Sequence, residues 1–188
     1  MSLEFNRRSF LKYSAAAAVA VAGSSLLTGC GSDEYQPTGR IGSTLSLLGK
    51  QTMYGVDDST PSSVEGKVLK CSMKFNCNAK NGNSVQNNDF EIEVIKSSTK
   101  KTTTYHAGNT DGTGNLELSR QTNFLAKDAY FSSTLTLTAA ENFADGDTIQ
   151  VKYWPKQNAS EGSYAYRRAY CTWKITVKAK DDGTLTLK

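Results

Sequence analysis

Two long stretches of the chain place an apolar residue at every second position. The apolar positions of the first stretch are Leu69, Cys71, Met73, Phe75, Cys77 and Ala79, and those of the second are Cys171, Trp173, Ile175, Val177 and Ala179. Successive side chains of a β-strand point to opposite faces, so strict alternation is typical of a strand with one buried face. The pattern therefore predicts two long, half-buried strands.

The rest of the pattern also favours strands. Shorter alternations occur near 45–48, 90–94, 131–137, 149–153 and 185–187, and turn-forming residues stand at Asn81-Gly82-Asn83, Asp111-Gly112, Asp145-Gly146-Asp147 and Asp182-Gly183. No segment keeps a helical period, apart from a short turn near Leu125–Ala129. We predict an all-β fold, an antiparallel sandwich of about seven to nine strands.

The start of the chain follows a different pattern. Arg7 and Arg8 precede an apolar stretch at 14–27, which is shorter than the roughly 20 apolar residues that a membrane-spanning helix needs. A positive segment followed by a short apolar one is typical of an export signal. Together with Phe10 and Leu11, the paired arginines resemble the twin-arginine signal family, and the resemblance implies export after folding.

The apolar stretch ends in Leu27-Thr28-Gly29-Cys30. This tetrapeptide resembles the cleavage motif of bacterial lipoproteins, and the resemblance implies that the mature chain begins at Cys30, is acylated there and binds the membrane through its acyl groups. More than one acyl chain gives a lasting anchor. We therefore expect a lipid-anchored protein on the extracytoplasmic side of the cell membrane or envelope. A cleaved leader with an unmodified Cys30, or an uncleaved anchor helix, are the alternatives.

These patterns divide the chain into three parts. Residues 1–29 form the signal peptide, and residues 30–43 form the lipidated cysteine with a polar, glycine- and proline-bearing tether. Residues 44–188 form a single domain, which is long enough to bury a core.

The order of features within 44–188 resembles the immunoglobulin-like domains of bacterial surface lipoproteins. The likeness consists of a short strand after the tether, a long alternating strand with an asparagine-rich turn, a Phe-Glu-Ile-Glu-Val strand, and the segments Ser-Thr-Leu-Thr-Leu-Thr and Ala-Asp-Gly-Asp-Thr-Ile-Gln-Val. It implies an immunoglobulin-like sandwich. The Cys…Trp…Cys spacing of antibody domains is absent, so the resemblance leaves the detailed topology open.

The charge of the chain argues against one class of partner. The formal net charge is +4, and removal of residues 1–29, which hold three basic residues and one acidic residue, leaves +2. The basic pairs Lys100-Lys101 and Arg167-Arg168 are isolated, whereas nucleic-acid binding requires a clustered basic face. We expect no nucleic-acid partner.

Three cysteines are left once Cys30 is assigned to lipid. Cys71 and Cys77 lie on one predicted strand at a separation of roughly 20 Å, whereas the α-carbons of a disulfide are about 4.4–6.8 Å apart. They cannot pair with each other, but either could pair with Cys171, and at least one thiol then stays reduced. The same separation argues against a zinc site.

Catalytic patterns are weak. The single histidine, His106, lies in a polar run, and no Gly-x-Ser-x-Gly elbow is present. Asp89, Glu91 and Glu93 alternate with apolar residues, so we expect them to face solvent rather than to form a glycosidase pair. Asp145-Gly146-Asp147 is interpreted as a turn leading into a strand rather than as part of a calcium site. We predict a non-catalytic protein without a cofactor or a metal.

One group of residues predicts ligand binding. If the alternating residues of 171–179 face the core, strand parity places Tyr164, Tyr166, Arg168 and Tyr170 on the opposite face, and Trp154 joins them across a hairpin. Exposed aromatic rings bind sugars or protein partners, and arginine adds hydrogen bonds. Packing of this face against another part of the same domain is the structural alternative.

The expected function is therefore that of a lipid-anchored extracytoplasmic domain that binds or displays a glycan or a protein ligand. A carbohydrate-binding accessory module or an enzyme-associated envelope protein is the first alternative, and a purely structural envelope protein is the second. The three functions differ in what contacts the face that carries Trp154, Tyr164, Tyr166 and Arg168.

Overall fold

The computed structural model describes residues 36–47, 51–54, 62–77, 82–107, 114–155 and 168–188. All of them belong to the second of two units into which the chain divides, Ser32–Lys188. Within these ranges the chain forms fourteen strands and one short 3-10 helix. In chain order they are β1 (Thr38–Arg40), β2 (Thr44–Leu47), β3 (Gln51–Tyr54), β4 (Ser63–Glu65), β5 (Val68–Cys77), β6 (Asn83–Val85), η1 (Asn87–Asp89), β7 (Phe90–Ile95), β8 (Thr102–His106), β9 (Asn115–Leu118), β10 (Thr122–Leu125), β11 (Tyr130–Thr138), β12 (Thr148–Tyr153), β13 (Cys171–Ala179) and β14 (Leu185–Leu187).

Most of the described strands belong to two six-stranded sheets. The first sheet has the order β8-β7-β12-β13-β1, and β14 also pairs with β13. The second has the order β2-β3-β5-β11-β9, and β4 also pairs with β5, while β6 and β10 form a separate two-stranded ribbon. Every pair is antiparallel except β1 with β13, which is parallel. The prediction of an all-β, antiparallel fold is confirmed apart from that one pair.

The two longest alternating stretches form the strands that they predict. β5 is continuous over ten residues, and its predicted inward positions from Leu69 to Cys77 are all buried. β13 likewise buries Cys171, Trp173, Ile175 and Val177, although Ala179 at its end is exposed. Alternation therefore identified the buried face of each strand because side-chain parity is a local property of the extended backbone.

Aromatic rings from both sheets meet in one core. Phe75 of β5 lies 6.0 Å from Phe90 and 5.5 Å from Tyr153, measured between ring centroids, and the latter two rings belong to the opposite sheet. Trp173 is 1% exposed, and its indole Nε1 donates a 2.9 Å hydrogen bond to the carbonyl of Ser43. The core therefore joins the strands of both sheets, including the segment between β1 and β2.

Two expectations about the architecture were wrong. The described residues contain more strands than the seven to nine expected, because three-residue strands such as β4 and β6 are too short to show alternation. Part of the predicted tether is also folded: β1 lies at Thr38–Arg40 and pairs with β13 at Thr172–Lys174. A strand this short and polar is held by backbone hydrogen bonds, which leave no mark in the side-chain pattern.

The turns at Asp145-Gly146-Asp147 and Asp182-Gly183 fall where they were predicted, whereas Asn81 and Asp111-Gly112 lie outside the described residues. Gly146 and Gly183 have φ values of 80° and 81°, a left-handed conformation that glycine adopts without a steric penalty. The expected turn near Leu125–Ala129 is present, with the amide of Ala129 donating to the carbonyl of Ala126. It follows a strand and is a tight turn rather than a helical one.

A buried ion pair closes the end of the domain at which β5 begins. Asp147 is fully buried and pairs with Lys96, whose Nζ also donates a 2.7 Å hydrogen bond to the carbonyl of Asn142. The backbone amides of Ser97 and Ala144 donate to the same carboxylate at 2.8 and 2.9 Å. Asp147 thus joins the loop after β7 to the loop before β12, and it lies in the predicted turn Asp145-Gly146-Asp147.

The same contacts set the protonation of Asp147. Burial alone would raise the pKa of this carboxyl, but the hydrogen bond from Lys96 and those from the two backbone amides lower it below the ordinary value. A depressed carboxyl pKa contributes stability that is present above the unfolded-state pKa, near 4, and is lost as pH falls through the lower folded-state pKa.

We expect Asp147→Ala to lower the free energy of unfolding by about 3–5 kcal/mol, because it leaves the mostly buried Lys96 ammonium without its counterion. Urea unfolding at neutral pH measures this effect. Glu141→Ala, an exposed position in the same loop, should change stability by less than about 0.5 kcal/mol.

The wild type should also lose more stability than Asp147→Ala on acidification below about pH 4. Equal acid sensitivity of the two proteins would contradict the assigned role.

Candidate functional site

Opposed charges occupy the outer surface of the first sheet. Glu91 and Glu93 alternate with the buried residues of β7, and Lys152 alternates with those of β12. Antiparallel pairing of these strands places Lys152 directly across from Glu91. Directly opposed side chains have β-carbons about 5 Å apart, so the ammonium reaches both carboxylates. Its Nζ lies 2.8 Å from Glu91 Oε1 and 2.7 Å from Glu93 Oε1.

These charges are largely withdrawn from solvent. Glu91 is 8% exposed as a residue, and the side chain of Lys152 is 16% exposed. Burial alone would lower the pKa of Lys152, but its hydrogen bonds to Glu91 and Glu93 raise the pKa above the ordinary lysine value. The lysine is therefore held as an ammonium that both carboxylates share.

His106 extends this charged row onto β8. It lies directly across from Glu91, and its Nδ1 is 3.8 Å from Glu91 Oε2. Its side chain is about half exposed, in agreement with the prediction of a surface histidine. The row therefore has an imidazole ring at its outer edge, next to a buried carboxylate.

Two aromatic rings continue the row on the other side of Lys152. The ammonium of Lys152 lies 5.8 Å from the ring centroid of Tyr170, within the range of a cation–π contact. The ring of Trp154 lies 5.3 Å from that of Tyr170, tilted by 49°. Both aromatic residues are half-buried. We call Glu91, Glu93, Lys152, Trp154 and Tyr170 the ion-paired face.

The predicted binding residues are only partly within the described structure. Trp154 packs against Tyr170, which parity placed on the same outer face. Arg168 is exposed, and its backbone carbonyl accepts a 3.3 Å hydrogen bond from Gln36. Tyr164 and Tyr166 lie outside the described residues. A ligand-binding role of this group stays a prediction.

The expectation that Asp89, Glu91 and Glu93 face open solvent was wrong for two of the three. Glu91 is buried under Lys152, and Asp89 is 9% exposed. One carboxylate oxygen of Asp89 accepts a 2.8 Å hydrogen bond from the amide of Gln86 across the 3-10 turn. The sequence signal that was missed for Glu91 is Lys152, at an outward position of the neighbouring strand β12. Strand parity alone cannot distinguish an outward face that is solvated from one whose charges are neutralised by a neighbouring strand.

The three cysteines of the domain are buried thiols, and no disulfide joins them. Cys71 and Cys77 lie on one uninterrupted strand, as the argument against their pairing assumed. Cys171 lies on β13, in the opposite sheet. Burial raises the pKa of Cys71 and of Cys171 to about 12, so neither is a thiolate at neutral pH.

The described part of the chain contains no cluster of three or more His, Cys, Asp or Glu side chains arranged to hold a metal ion. In the same residues, no helix has the length and apolar character needed to cross a membrane.

The N-terminal segment matches a known family. Residues 4–24 match the TAT (twin-arginine translocation) pathway signal sequence. The expectation drawn from Arg7, Arg8, Phe10 and Leu11 is thereby confirmed, and the protein is exported across the cytoplasmic membrane. These residues and Cys30 lie outside the described structure. No curated protein matches the chain.

We expect Lys152→Met to lower the free energy of unfolding by about 2–3 kcal/mol, because it leaves Glu91 buried without a cation. Thermal or urea unfolding measures the loss. Lys174→Met, at an exposed position of the same sheet, is the matched control and should change stability by less than about 0.5 kcal/mol.

The pH dependence gives a second check on this lysine. A raised lysine pKa contributes stability that is present below the unfolded-state pKa of about 10.4 and is lost as pH rises through the higher folded-state value. The wild type should therefore lose more stability than Lys152→Met above about pH 10. A loss of the same size in both proteins would mean that the ammonium is not held by the carboxylates.

Proposed function

We propose that this exported protein is a lipid-anchored extracytoplasmic domain of immunoglobulin-like type that binds or displays a ligand without catalysing a reaction. The position of Cys30 is the observation that supports the lipid anchor. It directly follows Leu27-Thr28-Gly29, shortly after the matched signal at 4–24, and only a few residues separate it from Gln36, the first described residue of the domain. A membrane reached through Cys30 is therefore the first expected partner.

The strand order supports the immunoglobulin-like assignment. β9, β11 and β5 are neighbours in one sheet, and β7, β12 and β13 are neighbours in the other. A constant-type immunoglobulin domain joins D, E and B in one sheet and C, F and G in the other, and variable types extend the second sheet beyond C, where this chain has β8. The chain departs from antibody domains because its buried Trp173 and Cys171 both lie on the strand in the place of G.

The charged groups of the ion-paired face favour binding over catalysis. A retaining glycosidase needs one carboxyl group as an acid and another as a nucleophile. Here a single ammonium holds both Glu91 and Glu93, and its raised pKa keeps it charged. Groups neutralised in this way stabilise the sheet surface and present a rigid, mixed polar and aromatic area, which suits recognition.

The anchor is tested by substitution of the acylated cysteine. In the native host, we expect the wild-type protein to sediment with membranes and its N-terminal peptide to carry the mass of acyl groups on Cys30. Cys30→Ala should lose both properties while the domain stays folded. Cys171→Ala, a cysteine substitution in the core, should keep the acyl groups. Membrane sedimentation of Cys30→Ala equal to that of the wild type would contradict the anchor.

A second candidate function is that of a carbohydrate-binding accessory module, and the ring pair Trp154–Tyr170 favours it. Flat aromatic groups next to a charged hydrogen-bonding side chain suit a sugar ring, since the ring faces are apolar and the hydroxyl groups polar. If this function is correct, the protein binds defined glycans on an array, Trp154→Ala loses that binding, and Lys178→Ala keeps it. Binding to no glycan excludes this candidate and leaves a protein ligand or a structural envelope role.

A further inference from the structure

Two large apolar side chains of the described residues are exposed at one end of the domain. Phe124 is 66% exposed and Tyr130 is 61% exposed, and among the described residues these are the large hydrophobic side chains that face solvent. Contiguous exposed apolar area marks an interaction surface more often than single exposed residues do.

That end is also where the chain enters the domain. The amide of Asp128 donates to the carbonyl of Cys77, at the end of β5, so the turn that joins Phe124 to Tyr130 lies there. In the opposite sheet the amide of Thr172 donates to the carbonyl of Pro37, just before β1 and at the start of β13.

A ring contact shows that these two strand ends lie at the same end of the domain. Phe75, two residues before the end of β5, packs on Tyr153, which pairs with Cys171 at the start of β13. We call this end of the two sheets the tether end.

Chain length decides which end of the domain can reach a membrane. The six residues from Cys30 to Gln36 span at most about 20 Å when fully extended. β5 alone, with ten residues, extends about 33 Å from one end of its sheet to the other. A membrane that holds Cys30 therefore lies close to the tether end, and the end that Asp147 closes lies farther away.

The exposed rings are held in place rather than loosely attached. The ring of Phe124 packs so closely on the backbone of Gly82 that a β-carbon there would come within 2.4 Å of Phe124 Cε2. The ammonium of Lys74 lies 5.1 Å from the ring centroid of Tyr130. The domain thus presents both rings outward in defined positions.

Basic side chains surround the two rings. Lys74 and Arg120 are exposed, and Arg120 lies 5.4 Å from the centroid of the partly buried ring of Phe131. Lys127 is exposed next to the carboxylate of Asp128, at 3.5 Å. The described surface around the rings therefore carries three cations and one carboxylate, a charge that complements anionic lipid headgroups.

We infer that the tether end, through Phe124, Tyr130, Lys74, Arg120 and Lys127, docks on the phospholipid surface into which the acyl groups of Cys30 insert. The inference rests on the proposed lipid anchor. Aromatic side chains favour the boundary between headgroups and acyl chains, and basic side chains favour anionic lipid. The anchor then supplies the high local concentration that a small docking surface needs, and docking fixes the orientation of the domain.

Photo-crosslinking of the mature, acylated protein tests this orientation. A photoreactive phenylalanine analogue replaces Phe124, Tyr130 or, as the control, Glu141 at the opposite end, all of them exposed positions. Each protein is reconstituted in phosphatidylethanolamine vesicles with or without phosphatidylglycerol and is then irradiated. We expect lipid adducts from positions 124 and 130, none from 141, and fewer adducts without the anionic lipid or at high salt.

Two readouts separate the inference from the anchor on which it rests. The acyl mass on Cys30 and flotation with vesicles report the anchor, whereas the adducts report the docking surface. An acylated protein that floats but gives no lipid adduct at 124 and 130, or as much at 141, overturns the docking surface and leaves the anchor intact. A protein without acyl groups overturns both.

Discussion

The contact of Phe75 with Phe90 and Tyr153 is the interaction on which the arrangement of this domain depends. It joins the end of β5 in one sheet to the start of β7 and the end of β12 in the other. Each buried ring contributes roughly 2–3 kcal/mol, and each well-placed ring pair adds about 1 kcal/mol. Because this cluster aligns the strand ends of both sheets, it also determines which loops share an end and which outer residues become neighbours.

The two ends that result differ in chemistry. At one end Asp147 and Lys96 form a buried pair that joins two loops through charge and backbone hydrogen bonds. At the other end Phe124 and Tyr130 stay exposed beside the residues through which the chain enters. Under the proposed lipid anchor, the short tether presents that end to lipid, which accounts for the asymmetry.

The ion-paired face illustrates how a polar surface of a sheet becomes rigid. One ammonium satisfies two carboxylates on the neighbouring strand and contacts the ring of Tyr170. Partly buried charges are costly to desolvate, so a pair of this kind specifies one strand register more than it adds stability. The same face offers side-by-side Trp154 and Tyr170 rings and a half-exposed His106, which makes it the surface on which a ligand other than lipid is expected.

Local sequence pattern by itself determined the export signal, because the translocation machinery reads a contiguous motif. It also determined the long strands and their inner faces, because strand parity is a property of consecutive residues. Tertiary structure alone decided that part of the expected tether is strand β1, that Glu91 is buried, and that Trp154 contacts Tyr170. Glu91 and Lys152 are 61 residues apart in the chain, and no local pattern specifies which strands become neighbours. Pairing between distant strands is set by the packing of the whole core, so the charge balance of the face and the placement of Phe124 and Tyr130 at the tether end emerge only once the chain has folded.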